Sequence, residues 1–143
     1  DFKDKENIVV IGGGLVGCEA ALGLAMKGHN VTLLEMRDDI AIDLNIINKV
    51  SLMNELKKYN VNIVTGIRCN EIKDGKLIGT DKDGKTVEYS FDKAIAATGT
   101  RRINEIVDAV EREFPETYVI GDCVNIGKID DAVHKGFIVG TQI

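Results

Sequence analysis

Three glycines with a fixed spacing are the residues of this sequence most directly tied to chemistry. Gly12, Gly14 and Gly17 form the pattern GxGxxG, directly after an apolar run at residues 7–11. In this pattern the first glycine permits a tight turn, the second lets the backbone approach a pyrophosphate, and the third lets a helix pack closely on a strand. The amino terminus of that helix then presents free N–H groups to the phosphates. The pattern therefore predicts a dinucleotide site.

An acidic residue follows at the distance that such a site needs. A second apolar run at residues 31–34 ends at Glu35, 18 residues after the last glycine of the pattern. A carboxylate near this offset, about 20 residues, accepts hydrogen bonds from the adenosine ribose of NAD(H) and repels a 2′-phosphate. Arg37 could pair with such a phosphate, but the two aspartates that follow it favour a solvated arginine. We therefore expect NADH to be preferred over NADPH.

The other residue types that commonly carry chemistry stand apart from one another. Cys18, Cys69 and Cys123 form no Cys-x-x-Cys pair and no cluster with His29 or His134. This spacing argues against a zinc site, an iron–sulfur site and a disulfide framework, and it is typical of a reducing cytosol. We expect Cys18 in the core and both histidines at the surface. No nucleophile–base–orienter set is apparent, so the sequence predicts no hydrolase, no catalytic residue and no metal ligand.

The hydrophobic pattern predicts the elements that must position the glycines. A strand at 7–11, a helix at 14–27 ended by Gly28, and a strand at 31–34 make a βαβ unit. Apolar positions 46, 47, 50, 53 and 56 predict a helix over 43–59, with Asp43 as its cap. A short apolar run at 61–64 predicts a third strand of the same parallel sheet.

The period of the pattern then changes. Residues 67–91 contain Asp-Gly pairs at 74–75 and 83–84, which are hairpin-type turns, and Val87, Tyr89 and Phe91 alternate with polar residues. The remaining expected elements are a buried strand at 94–97, an amphipathic helix ending at Pro115, a strand at 118–120 and a helix from about Asp130. The predicted fold is α/β: a Rossmann-like three-layer domain with a parallel sheet plus an antiparallel β-meander.

Composition excludes several classes of partner. The chain has 143 residues and a net charge of −5, which argues against binding to nucleic acid or to an anionic membrane surface. Its 44% hydrophobic and 29% charged residues are ordinary for a globular protein. No apolar run approaches the roughly 18 residues of a membrane span, and residues 1–6 are charged, unlike a signal peptide. We therefore expect a cytoplasmic protein.

Four motifs carry a family resemblance. Residues 12–19, 31–35, 96–99 (Ala-Ala-Thr-Gly) and 120–123 (Ile-Gly-Asp-Cys) occur in the order seen in two-dinucleotide flavoprotein reductases. Over residues 7–143 the chain resembles the C-terminal part of the 2,4-dienoyl-CoA reductase/2-enoate reductase family, which are NADH:flavin oxidoreductases. In that family a pyridine-nucleotide domain is inserted into an FAD domain, behind a front half like old yellow enzyme.

The resemblance implies two domains and a cofactor site. Residues 1–114 would form an NAD(H)-binding domain, and 115–143 the C-terminal segment of an FAD-binding domain. By resemblance, Glu19 would lie near the nicotinamide end, Asp122 would meet the flavin ribityl chain, and the helix start near 129–132 would lie against the flavin. The expected cofactor-binding residues are Gly12, Gly13, Gly14, Leu15, Val16, Gly17, Glu19, Glu35, Met36, Gly99, Gly121 and Asp122.

One departure from the family limits what the chain does alone. An FAD domain of this kind has its own GxGxxG, but this sequence has only one, and the family's FMN barrel and iron–sulfur cysteines are missing. We therefore expect a fragment of a larger FAD-dependent oxidoreductase, inactive by itself, whose partners are the FAD domain and FMN barrel of the same enzyme. The apolar face of 115–143 is expected to pack either back on the nucleotide domain or on a second copy of the chain, which would make a homo-oligomer.

Two alternatives remain open. The chain could be a stand-alone NAD(H)-binding module without turnover. It could also be an FAD-binding remnant, in which Gly12–Gly17 is the FAD site and the inserted domain is deleted. The continuation Leu-Val-Gly-Cys-Glu at 15–19 resembles the nucleotide-domain version more than the FAD version.

Overall fold

The computed structural model describes residues 5–143, and these fall into two compact units. The first unit ends at Gly99 and the second runs from Thr100 to Ile143. The elements of the first unit are β1 (Asn7–Ile11), α1 (Leu15–Met26), β2 (Asn30–Leu34), α2 (Ile46–Lys58), β3 (Asn62–Val64), β4 (Arg68–Lys73), β5 (Lys76–Thr80), β6 (Thr86–Ser90) and β7 (Lys93–Ala96). The second unit contains α3 (Glu105–Glu113), a 3₁₀ turn (Gly121–Cys123) and α4 (Ile129–Gly140).

A four-stranded parallel sheet organises the first unit. Its strand order is β3-β2-β1-β7, with Val10 opposite Leu33 on one side and Ile95 on the other. The apolar residues on one face of the sheet pack with α1 and α2 into the main core, as expected for strands that read as continuous hydrophobic runs. Buried members of that core are Ile8, Val10, Cys18, Ala21, Leu24, Ala25, Val31, Leu33, Ile40, Ala41, Leu56 and Val61.

An antiparallel sheet with the order β4-β5-β6 covers part of the opposite face. Its buried Leu77 packs with Val9 and Leu34 of the parallel sheet. The predicted turn at 74–75 is confirmed, because Asp74 and Gly75 both have positive φ, 50° and 72°. The alternation predicted for 87–91 is confirmed too, and so is the α/β fold with a β-meander.

The ends of α1 agree with the prediction. Gly28 has φ +93° and follows the last turn, where its N–H donates to the Ala25 carbonyl at 3.0 Å. The helix is apolar on nearly all sides, yet only one stripe of it is buried. Val16 is 70% exposed and takes no part in the core of this unit.

The prediction for α2 is wrong in two respects. The helix begins at Ile46, and its cap is Asn45, whose side chain accepts a hydrogen bond from the Asn48 N–H at 3.0 Å. Asp43 lies in the preceding turn, too early for its carboxylate to meet the first free N–H groups. The expected apolar face is also only partly buried. Leu56 is fully buried, whereas Ile46 and Ile47 are 72% and 79% exposed.

Three further expectations need correction. β7 is half-buried instead of buried, because it lies at the edge of the sheet and, among the strands of residues 5–143, pairs with β1 alone. Residues 118–120 form no strand, since no other strand in residues 5–143 pairs with them. His29 is half-buried, and its Nδ1 accepts a hydrogen bond from the Glu6 N–H at 3.3 Å. His134 is exposed, as predicted.

The second unit has no buried residue between Thr100 and Ile143. Helix α3 ends before Pro115 and α4 begins beside Asp130, both as predicted. Large apolar side chains on both helices are exposed, among them Ile106 and Phe137. This unit therefore has no core of its own. Among the described helices of both units, none has the length and apolarity needed to cross a membrane.

Candidate functional site

The glycine-rich turn between β1 and α1 lies at the carboxyl edge of the parallel sheet. Gly12 has φ +106°, and a Cβ there would collide with the Ala97 carbonyl oxygen at the end of β7. A Cβ on Gly17 would collide with the Gly12 carbonyl oxygen and lie 3.3 Å from the Ala97 Cβ. The roles predicted for the first and third glycines, a tight turn and a close helix approach, are therefore confirmed.

Gly14 differs from both of its neighbours in the pattern. It has an ordinary φ of −67°, caps the amino terminus of α1, and has no other atom within 4 Å of the place where a Cβ would stand. Neither conformation nor internal packing therefore demands glycine here. What a Cβ would fill is open space beside the first N–H groups of a helix, and this arrangement fits a diphosphate that approaches the backbone closely.

Gly13 is held by hydrogen bonds on both sides. Its N–H donates to Glu35 Oε2 at 2.5 Å. Its carbonyl oxygen accepts from the Ala41 N–H at 2.7 Å and from the Cys18 thiol at 3.4 Å. A Cβ on Gly13 would lie 2.6 Å from Ile40 Cγ2, so a side chain would not fit. These contacts fix the middle of the turn against the rest of the unit.

Glu35 is buried at the end of β2, with 5% of its surface exposed. Its Oε1 accepts from the Arg37 N–H at 2.8 Å and from Arg37 Nε at 3.2 Å. Burial raises the pKa of this carboxyl, but the N–H donors of Arg37 and Gly13 and the arginine charge outweigh it, so the pKa lies below its ordinary value of 4.5. The carboxylate is therefore ionised at neutral pH and joins β2 to the glycine-rich turn.

Arg37 does not behave as the sequence predicted. Its side chain pairs with Glu35 instead of being balanced by the following aspartates, and Asp39 pairs with Lys49 on α2. The reason is local. The Glu35 carboxylate folds back toward the chain and meets both the backbone N–H and the guanidinium of the residue two positions on.

The structure brings ten of the twelve predicted site residues into the first unit and places two in the second. Leu15, Val16 and Glu19 are exposed on the first turns of α1, and Met36 is exposed next to Glu35. Gly99, with φ +94°, follows Ala97, the residue that Gly12 approaches. In the second unit, Gly121 and Asp122 lie in the 3₁₀ turn. There the Asp122 carboxylate is exposed and accepts a hydrogen bond from the Gly127 N–H at 3.2 Å.

Sequence reasoning missed Ala41 and assigned Cys18 only to the core. Ala41 is 1% exposed and has φ +49°, a left-handed conformation that alanine rarely adopts. No local pattern signals this conformation, and the Ala41 N–H donates to the carbonyl of Gly13, a residue distant in sequence. Cys18 is fully buried as predicted, and its position one turn after the glycines was the available signal for a contact with them.

The chain is similar to known proteins over nearly its whole length. Residues 1–136 match the family model described as pyridine nucleotide-disulphide oxidoreductase. The NADH oxidase of Thermoanaerobacter brockii is 41% identical over an alignment of 143 positions, which covers 99% of this chain and 22% of that protein. The bilirubin reductase of Mediterraneibacter gnavus is 33% identical over 95% of this chain and 21% of its own length.

A solved structure extends the comparison to the fold. The 2-naphthoyl-CoA reductase in complex with 2-naphthoyl-CoA superposes with a TM-score of 0.86 and 31% identity, over 99% of this chain and 22% of that one. The chain thus spans about a fifth of the length of the relatives that it matches. With the family model covering nearly all of its residues, the chain belongs to the pyridine nucleotide-disulphide oxidoreductase family.

Proposed function

We propose that the first unit binds NADH within a larger flavin-dependent oxidoreductase and orients it for hydride transfer to a flavin. The observation that carries the proposal is the open space at Gly14, beside a turn anchored through Gly13 to Glu35. When bound, NADH supplies the hydride and FAD accepts it, so this chain needs no catalytic acid or base. Its work is binding and orientation.

Each part of the site has a role in this proposal. The Gly14 N–H and the positive end of the α1 dipole stabilise the diphosphate, worth about 0.3–1 kcal/mol for the dipole alone at an exposed site. Glu35, already ionised, would accept from the adenosine ribose in addition to its present donors. Glu19, exposed on the second turn of α1, would lie toward the nicotinamide. In the second unit, Asp122 would accept from the flavin ribityl chain.

Within the family we propose the 2,4-dienoyl-CoA reductase/2-enoate reductase type. The high structural similarity to a 2-naphthoyl-CoA reductase supports this assignment. It implies an NAD(H)-binding domain over 1–114, an FAD-domain segment over 115–143, and an FAD domain and FMN barrel of the same enzyme as partners. The absence of any buried residue after Gly99 supports a segment completed by other parts of an enzyme. The substrate would bind in that barrel.

Calorimetric titration of this chain with NADH and with FAD tests the proposal. We expect NADH to bind and purified protein to carry little or no FAD. Micromolar affinity needs about 8 kcal/mol, far more than Asp122 and one helix end supply. A yellow protein with one FAD per chain would contradict the proposal, because Gly12–Gly17 would then be an FAD site. Failure to bind either nucleotide would contradict it as well.

A further inference from the structure

The Gly13 carbonyl group is the most heavily bonded point of the glycine-rich turn. It accepts the Ala41 N–H at 2.7 Å and the Cys18 thiol at 3.4 Å, and both donors lie in the buried core. On the other side of the same residue, the N–H donates to Glu35. The carbonyl is therefore turned inward, toward α1 and the segment after β2.

The orientation of this carbonyl decides where the next N–H points. No peptide bond in the described chain is cis, so the Gly13 C=O and the Gly14 N–H lie in one peptide plane and point in opposite directions. With the carbonyl turned inward, the Gly14 N–H is turned outward. At the Gly14 φ of −67° the N–H lies on the same side of the Cα as a Cβ would, and the place of that Cβ is open.

The Cys18 side chain is well suited to hold this orientation. It is fully buried, and burial together with the nearby Glu35 charge raises the pKa of the thiol to about 11. At neutral pH it therefore keeps its proton and donates it. The second donor, the Ala41 N–H, belongs to a residue in a left-handed conformation, which carries a cost of its own.

We propose that Cys18 is a positioning residue for the dinucleotide. Its S–H group holds the Gly13 carbonyl inward, and this keeps the Gly14 N–H aimed at the diphosphate. The inference rests on the proposed function, since it assumes that a dinucleotide binds at this turn. It predicts that removing the donor weakens binding even where packing and fold are preserved.

Three substitutions separate donation from packing. Cys18→Val keeps an apolar side chain of similar size without a donor, Cys18→Ser keeps a donor but loses apolar contact, and Cys18→Ala loses both. Gly23→Ala is the matched control on the same helix, because a Cβ there meets no other atom within 4 Å. The 143-residue chain is titrated with NAD⁺ by calorimetry, and its melting temperature is measured in parallel.

We expect the dissociation constant for NAD⁺ to rise about three- to tenfold in Cys18→Val and Cys18→Ala, because each variant loses one hydrogen bond. Cys18→Ser should stay within about twofold of the unchanged protein, like the control. The melting temperatures should rank differently, with Cys18→Val above Cys18→Ser, because a hydroxyl is costly in an apolar core.

Two results would overturn the inference alone: equal NAD⁺ affinity in all variants, or affinities that follow the melting temperatures. Absence of NAD⁺ binding by the unchanged protein would overturn the proposed function together with this inference.

Discussion

Substituting Gly14 and Gly17 separately by alanine should affect different properties of the protein. At Gly14 the φ of −67° suits any L-residue, and a Cβ meets nothing within 4 Å. Restricting the unfolded chain stabilises by about 0.4–1 kcal/mol, and the poorer capping by alanine offsets part of this. The free energy of unfolding should therefore change by less than about 1 kcal/mol.

The affinity for NAD⁺, unlike the stability, should fall strongly in Gly14→Ala. If the diphosphate uses the open space at Gly14, a methyl group there keeps the phosphate oxygen away from the Gly14 N–H. We expect at least a tenfold loss of NAD⁺ affinity, equivalent to about 1.4 kcal/mol, and no measurable binding for the bulkier Gly14→Val.

Gly17→Ala supplies the structural contrast. Its Cβ would overlap the Gly12 carbonyl oxygen, a backbone atom that the end of β1 holds in place. The helix must then shift, which costs about 1–3 kcal/mol of stability. Urea unfolding and NAD⁺ calorimetry on both variants check the pair. Undiminished NAD⁺ affinity in a folded Gly14→Ala protein would refute the assignment of the site, and an unchanged stability of Gly17→Ala would refute the packing argument.

Two further predictions concern Glu35. The protein should bind NADH more tightly than NADPH. Glu35→Ala should narrow this difference in affinity, because it removes a ribose acceptor and a repulsive charge. Tighter binding of NADPH than of NADH by the unchanged protein, in a competitive titration, would contradict the assigned role of Glu35. The pKa of Glu35 is lowered in the folded state, so its stabilising contribution is complete above the ordinary value of 4.5 and is lost as the pH falls through the lower, folded value. Urea unfolding of the unchanged protein and of Glu35→Gln measures this contribution. The difference in their free energies of unfolding should be constant at neutral pH and shrink below pH 4.5. A difference that persists at low pH would contradict the electrostatic explanation.

Local pattern was enough to predict the glycine-rich turn, the meander and most element boundaries. The turn at 74–75 needs two positive φ angles. Asp and Gly are residue types that tolerate such angles, so the pair predicts the turn. Gly12 and Gly17 could be assigned for a similar reason, since a Cβ at either position would collide with backbone. In each case a single residue type meets a local geometric demand.

Contacts between distant residues were not readable in the same way. The spacing of apolar residues predicts an apolar face on α2, but it does not tell whether other residues of the first unit bury that face. Ile46 and Ile47 lie on this face and are exposed. The left-handed Ala41 depends on a hydrogen bond to Gly13, which is far away in sequence. Residues 118–120 read as a strand, but strand formation needs a partner, and none of the described residues provides one.

The position of β7 beside β1 has a consequence for the order in which the unit assembles. The paired strands β4, β5 and β6 are close together in sequence, and so are β1 and β2. Ile8 of β1, in contrast, pairs with Lys93 of β7, which lies near the other end of the first unit. Closing so long a loop is slow relative to local pairing. Only after that closure does Ala97 come against Gly12 and Gly17. The glycine-rich turn is thus complete only once the native topology has formed, so the NAD⁺ binding proposed for this turn would report arrival at that topology in a refolding chain.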